Sequence, residues 1–277
     1  MRLERFAPAA VAAHRALAGR MLPRRTIVRG GLGLVMGAVV GGLEDDLDAY
    51  TVKEPAPEPA PEPTPEPEPP VAAPEPPPPP TEFQRGDGGE GVWALQDKLN
   101  AQGYWCGAPD GGFGHLTQQA VYAVQKANGL YRDAIAGPMT LGALDRGLRP
   151  APVAGGDHIE VLLGLQLLLV VRAGSTSMIF NTSTGNGEPY EYQGGDYVAH
   201  TPTGDFSVWY VDGSGWRDGE LGELYRPMFY DGNFAIHGSA SIPPWPASHG
   251  CARISTAAMD MFWASGLLAM GGRVIVA

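Results

Sequence analysis

The sequence predicts two folded domains of different class, a small all-α domain of three helices followed by a mainly β domain of sandwich or barrel type. Three observations predict it. Apolar residues recur at helical spacing, between ends marked by Gly and Pro, over residues 83–149. Short β-prone runs broken by Gly, Asp and Ser turns fill residues 157–277. An acidic, proline-rich stretch, residues 44–82, precedes both and has too few apolar side chains to pack a core.

Residues 1–43 carry seven Arg and one Glu and end in a Gly-rich apolar run, Gly30 to Leu43. Basic then apolar is the order of an export signal, and the run falls short of the ~20 residues that a spanning helix needs. The segment is expected to be an export signal or, since no clear A-x-A cleavage site follows, an anchor giving membrane association. Arg24-Arg25 before Thr-Ile-Val points to the twin-arginine route. A start at Met21 gives a more ordinary signal length.

Residues 54–80 alternate Pro with Glu and favour extended polyproline II, which at ~3.1 Å per residue reaches on the order of 80 Å. The stretch reads as an inert spacer. Net charge runs from +6 over residues 1–43 through −10 over 44–82 to −7 over the remainder. No clustered basic face emerges, which argues against nucleic acid as a partner.

In the helical domain, Val92, Leu95 and Leu99 share one face of a first helix that Gly103 ends. Asp110-Gly111-Gly112 forms a turn, and Thr117 is expected to cap a second helix carrying Ala120, Val121 and Val124 inward, with Gly129 after it. Pro138 suits the first turn of a third helix reaching Leu144. Trp93 and Phe113 read as packing residues. Tyr104, Trp105 and Tyr131 are candidates to stack on sugar faces or to lid a small core. Cys106 and Cys251, the only cysteines, make no disulfide framework, and Cys106 reads as a small buried apolar residue.

In the β domain, His158 to Leu163, Gln166 to Arg172 and Ser177 to Thr182 read as strands, with Gly164 as a bend and Ala173-Gly174 as a turn. Phe206 to Val211 alternates, with Ser207, Trp209 and Val211 expected on one side. Phe234 to Ile236 reads as a strand end. Ser255 or Thr256 is expected to cap a helix from Ala257 to Ala264, closed by Gly266, and Arg273 to Val276 reads as a last strand.

Chemistry concentrates in Ile236 to Ser255, where His237, His249 and Cys251 fall within fifteen residues. A thiolate attacks a carbonyl well when an imidazole takes its proton and backbone N–H groups hold the oxyanion. Gly250 lets the backbone approach a ligand, and the N–H groups of His249, Gly250 and Cys251 are candidate oxyanion donors. Spacing alone leaves two other readings. Two His and one Cys can ligate zinc, with His200 as a further ligand brought in by the fold, or both histidines can be structural. The residue types do not say which histidine is the base. Arg253 is placed to meet a carboxylate, or to form a structural salt bridge. Met228, Phe229, Tyr230 and Trp245 are candidate walls of the pocket.

The run His237-Gly238 followed by Ser248-His249-Gly250-Cys251-Ala252-Arg253 resembles the signature of YkuD-type L,D-transpeptidases. The likeness extends to Ser183-Thr184-Gly185, to Thr201–Phe206 and to Phe234–Gly238, and covers the last 120 residues or so. Two departures stand out: a shorter loop between His237 and Ser248, and Arg253 where Asn is frequent.

The order Leu95-Gln96, Gly103-Tyr104, Asp110-Gly111, Phe113-Gly114, Thr117, Ala120-Val121, Gln125, Gly129-Leu130 and Gly137-Pro138 resembles a three-helix peptidoglycan-binding domain. Here Val124 replaces a usual aromatic and Ala134 a usual Gly.

The first resemblance implies a mixed β-sandwich, with Cys251 as nucleophile, His237 as base oriented by the Gly238 carbonyl, and His249 beside the nucleophile. It also implies a tetrapeptide stem of peptidoglycan as substrate, attacked at the third-residue carbonyl with loss of terminal D-Ala, and sensitivity to carbapenems. The acyl group would pass to a neighbouring stem amine. Ser248, Gly238, Arg253, Tyr230 and Trp245 are then the expected substrate contacts, with no metal or organic cofactor and an extracytoplasmic location in the cell envelope. The alternatives are a non-catalytic wall-binding protein and an L,D-carboxypeptidase with water as acceptor.

Overall fold

The computed structural model describes residues 81–277. The expected export segment and nearly all of the acidic spacer lie outside the described residues. Three helices open the described chain: α1 (Glu90–Ala101), α2 (His115–Ala127) and α3 (Pro138–Arg146). Val92, Leu95 and Leu99 are buried on α1, as their spacing predicts. Pro138 opens α3, where its missing N–H costs nothing.

Thr117 is not a cap. The cap of α2 is Gly114, and Thr117 lies buried in the first turn, where its Oγ1 accepts from Gln96 Nε2 at 3.0 Å. Gln96 Nε2 also donates to Asp110 Oδ1 and Gly112 O, while its Oε1 accepts from the N–H groups of Asp110 and Gly111. Gln125 repeats this with Asp133 Oδ1, Ile135 O, Thr140 Oγ1 and the Ala134 N–H. The pattern D-x-x-x-G-x-x-T at 110–117 and again at 133–140 is thus an internal repeat, each copy folding a turn around a glutamine amide. Ala134 stands where the first copy has Gly111, and both take positive φ, 64° and 76°.

Twelve strands follow in the order β1 (His158–Leu162), β2 (Leu167–Arg172), β3 (Ser175–Asn181), β4 (Pro189–Tyr192), β5 (Gly195–Val198), β6 (Gly204–Ser207), β7 (Tyr210–Val211), β8 (Trp216–Arg217), β9 (Leu224–Asp231), β10 (Phe234–Ser239), β11 (Ala252–Ser255) and β12 (Arg273–Val276). One sheet runs β3-β2-β1-β12-β6, and a second runs β11-β10-β9-β7 with β8 also on β9. β4 and β5 form a separate hairpin. Between the two sheets lie Ile159, Val161, Leu168, Val170, Val274, Met228, Ile236 and Ile254. The helix α4 (Thr256–Ser265) adds Met259 and Phe262 to that core. Ser255 caps it, its side chain accepting from the Ala258 N–H at 3.1 Å, and Gly266 ends it in the left-handed region.

The alternation from Phe206 to Val211 is not one strand. The chain leaves the first sheet after Ser207, and Val208 turns into the core between the sheets. The Trp209 N–H then donates to Phe229 O, and the chain joins the second sheet at Tyr210. Ser207 and Trp209 are exposed while Val211 is half-buried, so the expected common side does not exist.

β2 is buried on both faces. Leu168 and Val170 enter the sandwich, whereas Leu167, Leu169 and Val171, with Ile179, join the core of the three helices. Each such side chain contributes about 1.5–3 kcal/mol of burial. The helical domain therefore covers the outer face of the first sheet, and the Ile179 N–H donates to Gly103 O at 2.8 Å. Tyr104 is spent in this interface and cannot stack on sugar, whereas Trp105 is half-buried. Tyr104 is 1% exposed with its hydroxyl donating to Leu148 O, and Trp105 packs on Phe180. Tyr131 remains exposed, and so does Trp93, contrary to its reading as a packing residue. Cys106 is buried as expected, and burial pushes its thiol up to about 12.

Candidate active site

Side chains alternate along a strand, and paired residues in a parallel ladder share a face. β10 and β11 pair in parallel with Ile236 opposite Ala252 and His237 opposite Arg253. Ile236, Ala252 and Ile254 point into the core, so His237, Cys251 and Arg253 belong to the other face. There they line one cleft of about 840 Å³.

His237 is 4% exposed and its Nδ1 lies 2.9 Å from Gly238 O, so Nδ1 carries the proton and Nε2 is the free acceptor. Burial pushes its pKa down to about 4, Arg253 adds to the fall, and the Gly238 carbonyl opposes it. Burial likewise raises the Cys251 thiol, opposed by the Ala235 N–H and by Arg253. The resting pair is thus a neutral imidazole and a neutral thiol. Gly238 admits no side chain, since a Cβ there would lie 2.9 Å from the Tyr225 ring and 3.1 Å from Thr256 Cα.

Ser248 is buried and shapes the nucleophile turn. Its Oγ donates to Cys251 O at 2.7 Å and accepts from the Gly250 N–H at 3.0 Å. That corrects the oxyanion expectation, because the Gly250 N–H is already engaged. The N–H groups of His249 and Cys251 carry no hydrogen bond among the described residues. Gly250 instead supplies space and conformation. Its φ is 144°, and a Cβ would lie 2.4 Å from the Phe234 ring and 2.7 Å from His200 O.

His249 is exposed beside Cys251, edge-on to Tyr190 with ring centroids 4.8 Å apart. Arg253 lines the cleft and forms no ion pair among the described residues, so the salt-bridge reading fails there. His200 is not drawn in as a metal ligand; its Nδ1 sits against Val198 O. No group of three His, Cys, Asp or Glu side chains able to hold a metal occurs among the described residues.

Of the expected contacts, Gly238, Tyr230 and Trp245 do not line the cleft, and neither does the expected wall residue Met228. Tyr230 and Met228 face the sandwich core, because on β9 it is Phe229 that shares the face of His237. Burial raises the Tyr230 hydroxyl far above the ordinary phenol range. Trp245 is exposed away from the cleft, and its carbonyl accepts from Ser183 Oγ. The walls missed in the sequence are the hairpin residues Tyr190, Tyr192 and Tyr197 and the loop 216–224 opposite. Gln193 Nε2 donates to Glu220 Oε2 at 2.8 Å, which ties hairpin to loop. Tyr190 and Tyr192, alternating before the turn Gln193-Gly194, were the readable signal.

The chain matches a family of peptidoglycan-binding domains over residues 88–144 and a family described as the L,D-transpeptidase catalytic domain over residues 156–276. Among solved structures it is similar to the L,D-transpeptidase of Xylanimonas cellulosilytica, at 47% identity, covering 73% of this chain and 100% of that one, with a TM-score of 0.69. It is also similar to an L,D-transpeptidase of Stackebrandtia nassauensis, at 22% identity, covering 71% and 95%, with a TM-score of 0.41. No curated protein matches.

Proposed function

Since the chain belongs to the L,D-transpeptidase family, we propose that Cys251 is its nucleophile and His237 its general base in cell-wall cross-linking. The protein is an acyltransferase acting on peptidoglycan. What supports the assignment is one observation: Cys251, immediately before β11, and a histidine of β10 anchored by its Nδ1 open on the same cleft.

The thiol proton passes to His237 Nε2 as Sγ bonds the carbonyl carbon of the third stem residue. The oxyanion is held by the free N–H groups of His249 and Cys251. The carbon–nitrogen bond to D-Ala breaks, His237 returns the proton to the leaving amine, and a thioester remains. A stem amine then attacks the thioester, giving its proton to the same imidazole, and the carbon–sulfur bond breaks as that proton returns to Cys251 Sγ. Arg253 meets a stem carboxylate, and Phe229, Phe234 and the hairpin tyrosines wall the peptide. Tyr131, exposed on the helical domain, is a contact for the polymer.

The proposed setting is extracytoplasmic, with residues 1–43 as export signal or anchor and 44–82 as spacer. Among the described residues no helix is long and apolar enough to cross a membrane.

Incubation with a disaccharide tetrapeptide, read by mass spectrometry, tests the reading. Cross-linked dimers lacking one D-Ala are expected, and none with Cys251→Ala. Tripeptide alone would make the enzyme a carboxypeptidase, and unchanged substrate a non-catalytic wall binder.

A further inference from the structure

The loop between β10 and β11 carries Pro243, Pro244 and Pro246. Proline has no N–H, so across residues 243–246 only Trp245 has a backbone donor. Its carbonyls are instead clamped from outside. Ile242 O accepts from Asn181 Nδ2 at 3.1 Å, Pro244 O from Arg132 Nη1 at 2.8 Å and Trp245 O from Ser183 Oγ at 2.8 Å.

Most of these clamps come from one segment, Asn181–Gly185. Thr182 Oγ1 donates to Arg253 O, and Ser183 O accepts from the Arg253 N–H. The N–H groups of Ala247 and Ser248 both donate to Thr184 O. The far side of that segment belongs to the helical domain. Asn181 Nδ2 also donates to Gln119 Oε1 at 2.6 Å, and Lys126 Nζ donates to Thr182 O at 2.9 Å and Gln166 O at 2.8 Å. The Gln166 side chain in turn bonds Thr184 through both its donor and its acceptor.

We propose that the helical domain positions the nucleophile, with Arg132, Gln119 and Lys126 as positioning residues that hold the loop leading to Cys251. The role is distinct from holding wall polymer and rests on Cys251 as the reacting group. A misplacement of about an ångström at a reacting atom costs on the order of a hundredfold in rate, so a loop whose prolines leave it short of donors needs this backing. Arg132 isolates the effect. It is half-buried in the turn after α2, and Pro244 O is its hydrogen-bond acceptor.

The test uses the full chain and the variants Arg132→Ala and Arg132→Lys. Backbone amide exchange is read over residues 240–251 and, for comparison, over α1 and β2. Carbapenem acylation of Cys251 is followed at several drug concentrations, which separates binding from the chemical step. In Arg132→Ala, exchange in the loop is expected to rise about tenfold, the scale of one lost bond to a charged donor, with α1 and β2 unchanged. The chemical step is expected to slow by a similar factor at unchanged half-saturation, and Arg132→Lys to recover most of both.

Wild-type exchange in Arg132→Ala overturns the proposal. So does equal loss of protection in α1, β2 and the loop, which marks a merely structural residue. A wild-type protein that forms no adduct overturns the nucleophile assignment alone, because the exchange arm still decides the positioning.

Discussion

Replacing Lys126 by Met changes how stability depends on pH, and the size of the change follows from the burial of one amine. Lys126 is 1% exposed, and its Nζ donates to two carbonyls and no carboxylate among the described residues. Two acceptors match the two hydrogens of a neutral amine, whereas an ammonium carries three. Burial, helped by Arg132, pushes its pKa down to about 6, against roughly 10.4 in the unfolded chain. Between those values the unfolded chain binds more protons than the folded one, so stability rises with pH. The penalty of burying the amine is complete below about pH 6 and shrinks as pH climbs toward the unfolded value. From pH 6 to pH 8 the gain is about 2 kcal/mol, a little under the limiting slope of about 1.4 kcal/mol per unit. Met keeps the length and the burial but does not titrate. Urea unfolding of both proteins at pH 6, 7 and 8 reads the Lys126 contribution as the difference between them, since the other titrating groups cancel. A difference that moves by less than about 0.5 kcal/mol across that range would refute the argument.

Carbapenem acylation of Cys251, followed by intact-protein mass spectrometry, is expected to hold its rate down to about pH 5 and to fall toward pH 4, where His237 takes a proton and ceases to be a base. His237→Ala is expected to slow it roughly a hundredfold or more, and His249→Ala far less; equal rates for wild type and His237→Ala would move the base elsewhere. Gly250→Ala is expected to cost about 2 kcal/mol or more and to abolish the adduct, because its Cβ meets the Phe234 ring at positive φ; wild-type values in thermal unfolding and adduct formation count against the close fit. Ala134→Gly is expected to raise stability by about 1 kcal/mol in urea unfolding by releasing a left-handed alanine, and a loss would show that the alanine side chain matters more than its φ.

The helices were legible where periodicity and end signals agreed, as with Val92, Leu95 and Leu99 before Gly103. Thr117 was misread because a threonine near a helix start reads as a cap, and only the fold reveals Gln96 reaching across to it. Phe206 to Val211 alternates faithfully, but alternation does not record a change of sheet. At the site, residue type and spacing marked the stretch that holds His237, His249 and Cys251, while the choice of His237 over His249 rested on the family resemblance. Met228, Phe229 and Tyr230 were not sorted, because a period of two leaves the phase open until the pairing with β10 sets it. The engagement of the Gly250 N–H by Ser248 depends on a single rotamer and leaves no trace in the sequence. The apolar run Leu167–Val171 did announce a strand, and its lack of alternation is the mark of one covered on both faces. That residues 92–144 cover the second face was not legible, because the sequence does not say how the two domains are arranged.

That doubly covered strand sets the order in which the molecule can be completed. A chain leaves the ribosome N-terminus first, so α1, α2 and α3 are synthesised before Leu167, Leu169, Val171 and Ile179 exist to close their core. β1, which pairs with β2, waits in turn for β12 at the far end of the chain, Ile159 lying opposite Val274. Because β2 serves both cores, one cooperative thermal transition is expected where the sequence counts two domains. Evolution meets the same constraint. Exchanging the helical part between relatives by recombination near residue 150 is expected to succeed only when the incoming helices fit the outer face of β2.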